Sequence, residues 1–129
     1  MEVMSTNTNT YSAFLVEDSK IIRDNLIVAM DELADTQVVA YAESEGEAAR
    51  WLRDHADSWQ IAVIDMLLKQ GSGMGVLRAC RGRSASQHAV VLTNYADQEI
   101  RDQCIALGAD AVFDKSTQID EFLAYCARH

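Results

Sequence analysis

The sequence predicts an α/β fold: a parallel sheet covered by helices on both faces. Short apolar runs alternate with longer segments of helical periodicity along the chain. Such alternation implies parallel strands joined by right-handed crossovers. The runs are apolar throughout, which fits strands that are buried on both faces. The chain of 129 residues suits one domain. We expect a disordered tail at the polar residues 1–10 and the domain at residues 11–129.

Five strands are predicted from the apolar runs. Each run is short and consists mainly of β-branched or small apolar residues, which favours a buried strand over a helix. In chain order the runs are residues 13–16, 38–42, 61–64, 89–92 and 111–113.

Helices are predicted between the strands. Residues 19–33 carry apolar side chains at helical spacing, and Asp18 or Ser19 is a candidate N-cap. Ser44 and Glu47 have the spacing of a capping box that opens the second helix. The third helix is expected at residues 74–81, after a glycine-rich loop that we interpret as a flexible turn. Residues 96–107 form the fourth, which Gly108 ends.

The last helix has an apolar face of four residues at helical spacing: Ile119, Phe122, Leu123 and Cys126.

Composition excludes several classes of function. With 20 acidic against 11 basic residues the net charge is −9, which argues against nucleic-acid or anionic-membrane binding. No window reaches the ~18 apolar residues of a membrane span. Three cysteines, an odd number without a C-x-x-C pair, indicate reduced, buried thiols and a cytoplasmic protein.

Four of the apolar runs end in polar residues that can do chemistry. Glu17 and Asp18 follow the first run, Asp65 follows the third, Thr93 the fourth and Lys115 the fifth. Ligands of open α/β sheets bind outside the carboxyl ends of the strands. We therefore expect these side chains to meet at one edge of the sheet.

This set of groups favours phosphoryl chemistry with a metal ion. Three clustered carboxylates repel one another, and a divalent cation relieves that repulsion. A hard cation held by few carboxylates, waters and a phosphate oxygen is the Mg²⁺ pattern. A carboxylate can also be the nucleophile that forms an aspartyl phosphate. A metal, a lysine and a hydroxyl are the groups expected around such an aspartate, because phosphoryl transfer needs mainly positioning and charge neutralisation.

From residue 13 to the last residue the chain resembles the receiver domain of two-component response regulators, of the chemotaxis-regulator type. Each matching piece is weak by itself, but the pieces occur in the family's order and spacing. They are residues 14–19 (FLVEDS), 63–68 (VIDMLL) with Gly73 eight residues after the aspartate, 91–94 (VLTN), 106–110 (ALGAD) and 113–116 (FDKS).

The resemblance implies a flavodoxin-like sheet in the order 2-1-3-4-5 and a signalling switch rather than an enzyme. It implies that Asp65 is the phosphoacceptor and that Thr93 and Lys115 contact the phosphoryl oxygens. It also implies Mg²⁺ bound by Glu17, Asp18, Asp65 and the backbone carbonyl of Leu67. The implied partners are a histidine kinase or histidine phosphotransfer protein and a downstream protein effector, with a homodimer possible.

The chain departs from the family pattern around the site. Ser116 and Lys69 stand where prolines are usual, Asn94 where a small residue is usual, and Val112 where an aromatic switch residue is usual. Without the proline, we predict a trans Lys115–Ser116 bond, since a non-proline cis bond costs ~3 kcal/mol.

The residues two after Asp65 and two after Thr93 flank the hydrolytic water in the family. Here they are Leu67 and Tyr95, which predicts slow loss of phosphate.

Three other functions are compatible with parts of the pattern. A degenerate receiver would be a constitutive docking module, although the intact acidic set argues against it. An aspartyl-phosphate phosphohydrolase would carry a second aspartate two residues after the nucleophile that follows its first strand, and here no aspartate occupies position 20. A flavin carrier would need a Ser/Thr-rich phosphate loop after the first strand, and none follows.

Overall fold

The computed structural model describes residues 11–94 and 96–129. Five parallel strands form one sheet in the order β2-β1-β3-β4-β5, which confirms the predicted fold class. The strands are β1 (Tyr11–Val16), β2 (Thr36–Ala42), β3 (Ile61–Ile64), β4 (His88–Thr93) and β5 (Ala111–Asp114). The helices are α1 (Lys20–Ala34), α2 (Glu45–Asp54), α3 (Gly73–Ala79), α4 (Gln98–Ala106) and α5 (Ile119–Arg128).

The central strands of the sheet are buried on both faces, as their continuously apolar sequences require, whereas the edge strand β2 exposes Val39 and Tyr41. On one face, Phe14 and Val91 pack with side chains of α2, α3 and α4, among them Val76. On the other, Leu15 packs with α1 and α5, among them Phe122. Successive residues of a strand point to opposite faces, so each central strand contributes to both cores. Its polar functional groups are therefore confined to the end of the strand.

The predicted elements are all present, with boundary differences of a few residues. Only β3 matches its predicted bounds, and β1 and β2 each begin two residues earlier than predicted. Ser19 is the N-cap of α1, where its hydroxyl accepts the amide of Ile22. Gly108 adopts φ 103°, as expected for a residue that follows a helix.

The glycine-rich segment differs from the interpretation as a loop. Gly73 and Gly75 belong to α3, and Ser72 is its N-cap. A Cβ on Gly73 would collide with the carbonyl oxygen of Asp65, so this glycine lets α3 pack directly on the backbone beside Asp65. The segment is thus shaped by close backbone approach, a constraint that the sequence pattern does not distinguish from a turn.

The capping box of α2 is only partly as predicted. The Ser44 hydroxyl accepts the amide of Glu47 at 3.2 Å, but the Glu47 carboxylate accepts the amide of Glu43 rather than that of Ser44.

Cysteine chemistry agrees with the prediction of reduced, buried thiols. Cys80, Cys104 and Cys126 are free and buried. Burial raises the pKa of Cys80 to about 11 and of Cys126 to about 12, so these thiols are poor nucleophiles near neutral pH. Within residues 11–94 and 96–129, no helix combines the length and apolar character needed to cross a membrane.

Candidate functional site

The predicted functional residues lie at the carboxyl edge of the sheet. Glu17 and Asp65 are the first residues after β1 and β3, Lys115 is the first after β5, and Thr93 is the last of β4. These four strands are consecutive neighbours in the sheet. Parallel pairing therefore brings residues far apart in sequence to one edge.

Three carboxylates form a compact acidic cluster. Glu17, Asp18 and Asp65 each offer one oxygen, and these oxygens all lie within 4.8 Å of one another. The Glu17 side chain is only 2% exposed and that of Asp65 12% exposed. Oxygens at this separation can share one hard divalent cation.

Lys115 supplies the positive charge of the cluster. Its Nζ lies 2.5 Å from Glu17 Oε1 and 2.9 Å from Asp65 Oδ2, and its side chain is 10% exposed. Burial alone would lower the pKa of Lys115, but the hydrogen bonds to Glu17 and Asp65 and the attraction of both carboxylates raise it above the ordinary value. Lys115 is therefore fully charged at neutral pH.

A backbone hydrogen bond joins the ends of β4 and β5 at Lys115. The Lys115 amide donates to the carbonyl oxygen of Thr93 at 3.0 Å, and Thr93 is fully buried. The described residues contain no cis peptide bond, which confirms the trans Lys115–Ser116 bond. The Ser116 amide donates to Asp114 Oδ1 at 2.7 Å, so the turn after Lys115 is held without proline.

Arg23 is a supporting residue that the sequence reasoning missed. Its guanidinium donates to the backbone carbonyl of Glu17 at 3.0 Å and to Glu43 Oε2 at 2.9 Å, and it lies 4.2 Å from the ring centroid of Tyr41. With a side chain only 6% exposed, Arg23 ties the end of β1 to β2. The available signal was its position three residues before Leu26, on the apolar face of α1.

The loop between β3 and α3 donates backbone hydrogen bonds to two carboxylates of the cluster. The amide of Lys69 donates to Asp18 Oδ2 at 2.6 Å, and the amide of Leu67 donates to Asp65 Oδ1 at 3.4 Å. Two of the three carboxylates are thus oriented by backbone groups of this loop. The site can hold a cation at its acidic cluster and present one oxygen of Asp65 beside a lysine.

The sequence model of the response regulator receiver domain matches residues 13–127. The chain belongs to the response regulator receiver domain family. Receiver domains are signalling switches that bind Mg²⁺ at an acidic pocket and interact with histidine kinases and downstream effectors. In this receiver domain the acidic cluster is formed by Glu17, Asp18 and Asp65.

A curated relative of this receiver domain is the acid tolerance regulatory protein ActR of Rhizobium meliloti. The two are 31% identical over 113 residues, which cover 88% of this chain and 56% of the relative. The transcriptional regulatory protein PhoP of Escherichia coli is 28% identical over 85% of this chain and 48% of its own length. The receiver domain spans about half the length of these relatives.

Solved structures share the fold at low sequence identity. The response regulator domain of CheB from Thermotoga maritima has a TM-score of 0.80 at 16% identity, covering 93% of this chain and 96% of that one.

Proposed function

We propose that this receiver domain is a phosphorylatable switch in which Asp65 accepts a phosphoryl group from a phosphohistidine. An Asp65 carboxylate oxygen would attack phosphorus while the phosphorus–nitrogen bond breaks and the imidazole leaves with the electron pair. The product is an acyl phosphate on Asp65. The changed surface then regulates a downstream protein.

The other residues of the site stabilise the phosphoryl group and hold the metal ion. Lys115 and Thr93 stabilise the phosphoryl oxygens, because charge neutralisation and positioning dominate this chemistry. Glu17, Asp18, Asp65 and the carbonyl of Leu67 would hold Mg²⁺. The cluster fits that ion because its oxygens converge within 4.8 Å of one another. When bound, Mg²⁺ neutralises charge on the carboxylates and on the transferring group.

The contact of Lys115 with both Glu17 and Asp65 is the observation that carries the proposal. An exposed lysine would form a surface pair of little consequence, whereas this one is buried against two carboxylates. Removing these charges from water costs free energy, and a docking module that is not phosphorylated does not require them. The degenerate alternative is therefore disfavoured.

The proposed donor is a histidine kinase or a histidine phosphotransfer protein, and the proposed output is a protein effector rather than nucleic acid. The net charge of −9 supports a protein partner over direct binding to a phosphate backbone. A cytoplasmic location and a possible homodimer remain part of the proposal.

Phosphorylation by a small-molecule donor tests the proposed function. Incubation with acetyl phosphate and Mg²⁺ is expected to add the mass of one phosphoryl group, in a form that hydroxylamine removes. A parallel incubation with EDTA is expected to leave the protein unlabelled. Absence of labelling with Mg²⁺ present would favour the constitutive docking module.

Replacement of Asp18 by Ala is expected to weaken Mg²⁺ binding about tenfold, or ~1.4 kcal/mol. The reason is that one of three convergent oxygen ligands is lost. Isothermal titration calorimetry measures the affinity, with Asp31→Ala as a control that removes an exposed carboxylate of α1. Equal affinity in wild type and Asp18→Ala would contradict the site.

Slow loss of phosphate is a further prediction for this site. Leu67 is 57% exposed and offers no polar group to orient a water, while Tyr95 lies outside the described residues. A Leu67→Asn, Tyr95→Glu double variant is expected to lose phosphate faster once the donor is removed, each tenfold corresponding to about 1.4 kcal/mol of barrier. An unchanged rate would show that these side chains do not gate the water.

A further inference from the structure

Glu45 makes two hydrogen bonds to the loop between β3 and α3. Its backbone amide donates to the carbonyl oxygen of Gln70 at 3.1 Å, and its carboxylate Oε1 accepts the amide of Ser72 at 2.9 Å. Glu45 is the first residue of α2, so the loop is fastened to the start of that helix.

Two glycines make this close contact possible. A Cβ on Gly71, where φ is 87°, would collide with the Cβ of Glu45. A Cβ on Gly75 would occupy the place of the Glu45 carboxylate. The glycine-rich segment is therefore fitted to Glu45 on one side, while Gly73 is fitted to the backbone of Asp65 on the other.

The fastened loop is the one that orients the acidic cluster. Gln70, held by Glu45, is adjacent to Lys69, whose amide binds Asp18. Ser72, also held by Glu45, forms an isolated antiparallel bridge with Leu67. Gln70 thus follows the residue whose amide binds Asp18, and Ser72 pairs with the residue whose amide binds Asp65.

We propose that Glu45 is a positioning residue for the metal site, which sets the position of Lys69 and Leu67 over the acidic cluster without touching the metal or the phosphoryl group. This inference rests on the proposed function, because it takes Asp18 and the Leu67 carbonyl as Mg²⁺ ligands. Replacing a group that orients the metal ligands without touching the metal commonly weakens metal binding by about tenfold or more.

Magnesium affinity of three single variants tests the role. Glu45→Ala is expected to weaken Mg²⁺ binding about tenfold. Glu45→Gln keeps an oxygen that can accept the Ser72 amide, and Glu47→Gln removes an equal charge from the same helix turn. Both are expected to remain within about twofold of wild type, since Glu45→Gln retains the acceptor for Ser72 and the exposed charge of Glu47 is screened by salt. If Glu45→Gln and Glu45→Ala lost Mg²⁺ affinity equally, the effect would come from the missing charge alone, and the positioning role would be overturned.

Amide hydrogen exchange of the metal-free protein separates positioning from a purely local contact. In Glu45→Ala the amides of Ser72 and Lys69 are both expected to exchange faster, although only Ser72 loses its acceptor directly. Faster exchange at Ser72 alone would show that Glu45 does not position Lys69.

Gly75→Ala tests the same contact by changing the glycine that Glu45 packs against. The added methyl is expected to displace the Glu45 carboxylate and reproduce the loss of Mg²⁺ affinity, even though alanine favours the helix. In the Glu45→Ala background the same substitution is expected to change nothing further. Equal losses in both backgrounds would overturn the proposal.

These measurements need no phosphodonor. If wild type resists labelling while Glu45→Ala still loses Mg²⁺ affinity, the proposed function fails and the positioning role stands. If wild type is labelled and Glu45→Ala binds Mg²⁺ like wild type, the positioning role fails alone. A wild type that binds no Mg²⁺ would overturn both.

Discussion

Replacement of Asp65 by Asn is expected to abolish phosphorylation by acetyl phosphate. Asn has the same shape, so the fold and the packing at the end of β3 are retained. Its amide lacks the charged oxygen that would attack phosphorus and the charge that pairs with Lys115 at 2.9 Å. Without the nucleophile no acyl phosphate can form.

Mass spectrometry of the intact protein measures this loss, and hydroxylamine treatment identifies the acyl phosphate in wild type. Asp120→Asn, which changes an exposed carboxylate in the first turn of α5, is the control and should be labelled like wild type. Labelling of Asp65→Asn at the wild-type level would mean that the acceptor lies elsewhere.

Replacement of Lys115 by Met is expected to destabilise the metal-free protein by about 3 kcal/mol. Met fills a similar volume but leaves Glu17 and Asp65 as buried carboxylates without their partner. For a domain of this size that loss corresponds to a fall in melting temperature of roughly 10 °C. Lys20→Met is the control, because its exposed pair with Asp24 should contribute little to stability.

Magnesium is expected to rescue Lys115→Met more than it stabilises wild type. The cation and Lys115 neutralise the same carboxylates, so the cluster without lysine gains more from the metal. Ligand that binds only the folded state raises stability by mass action, and thermal unfolding with and without Mg²⁺ measures the difference. A smaller shift in the variant than in wild type would show that lysine and metal do not share these groups.

The stability difference between wild type and Lys115→Met should fall at alkaline pH. Folding raises the pKa of Lys115, so between neutral pH and the ordinary lysine value of about 10.4 its contribution is fully present, and it is lost only as pH rises above that value. At neutral pH the full difference is therefore expected.

The sequence was sufficient for the order of elements and for the acidic site. Apolar runs identify strands because the central strands are buried on both faces, and a polar residue directly after such a run is expected at the carboxyl edge of the sheet. This reasoning placed Glu17, Asp65, Thr93 and Lys115 correctly at the carboxyl ends of their strands. It gave strand and helix ends less accurately, because end residues are held by individual caps and partners.

Sequence alone determined which groups could do chemistry in this protein; tertiary structure decided which residues support them. Arg23 reads as an interruption of an apolar helix face, yet it joins the backbone of Glu17 to Glu43. Glu45 reads as an ordinary first-turn acid, yet it accepts the amide of Ser72, 27 residues away in sequence. Periodicity and propensity report only local environment. Such contacts depend on how separate loops and helices pack in three dimensions, so a local pattern can place Arg23 on a buried helix face but cannot identify the partners of Arg23 or Glu45.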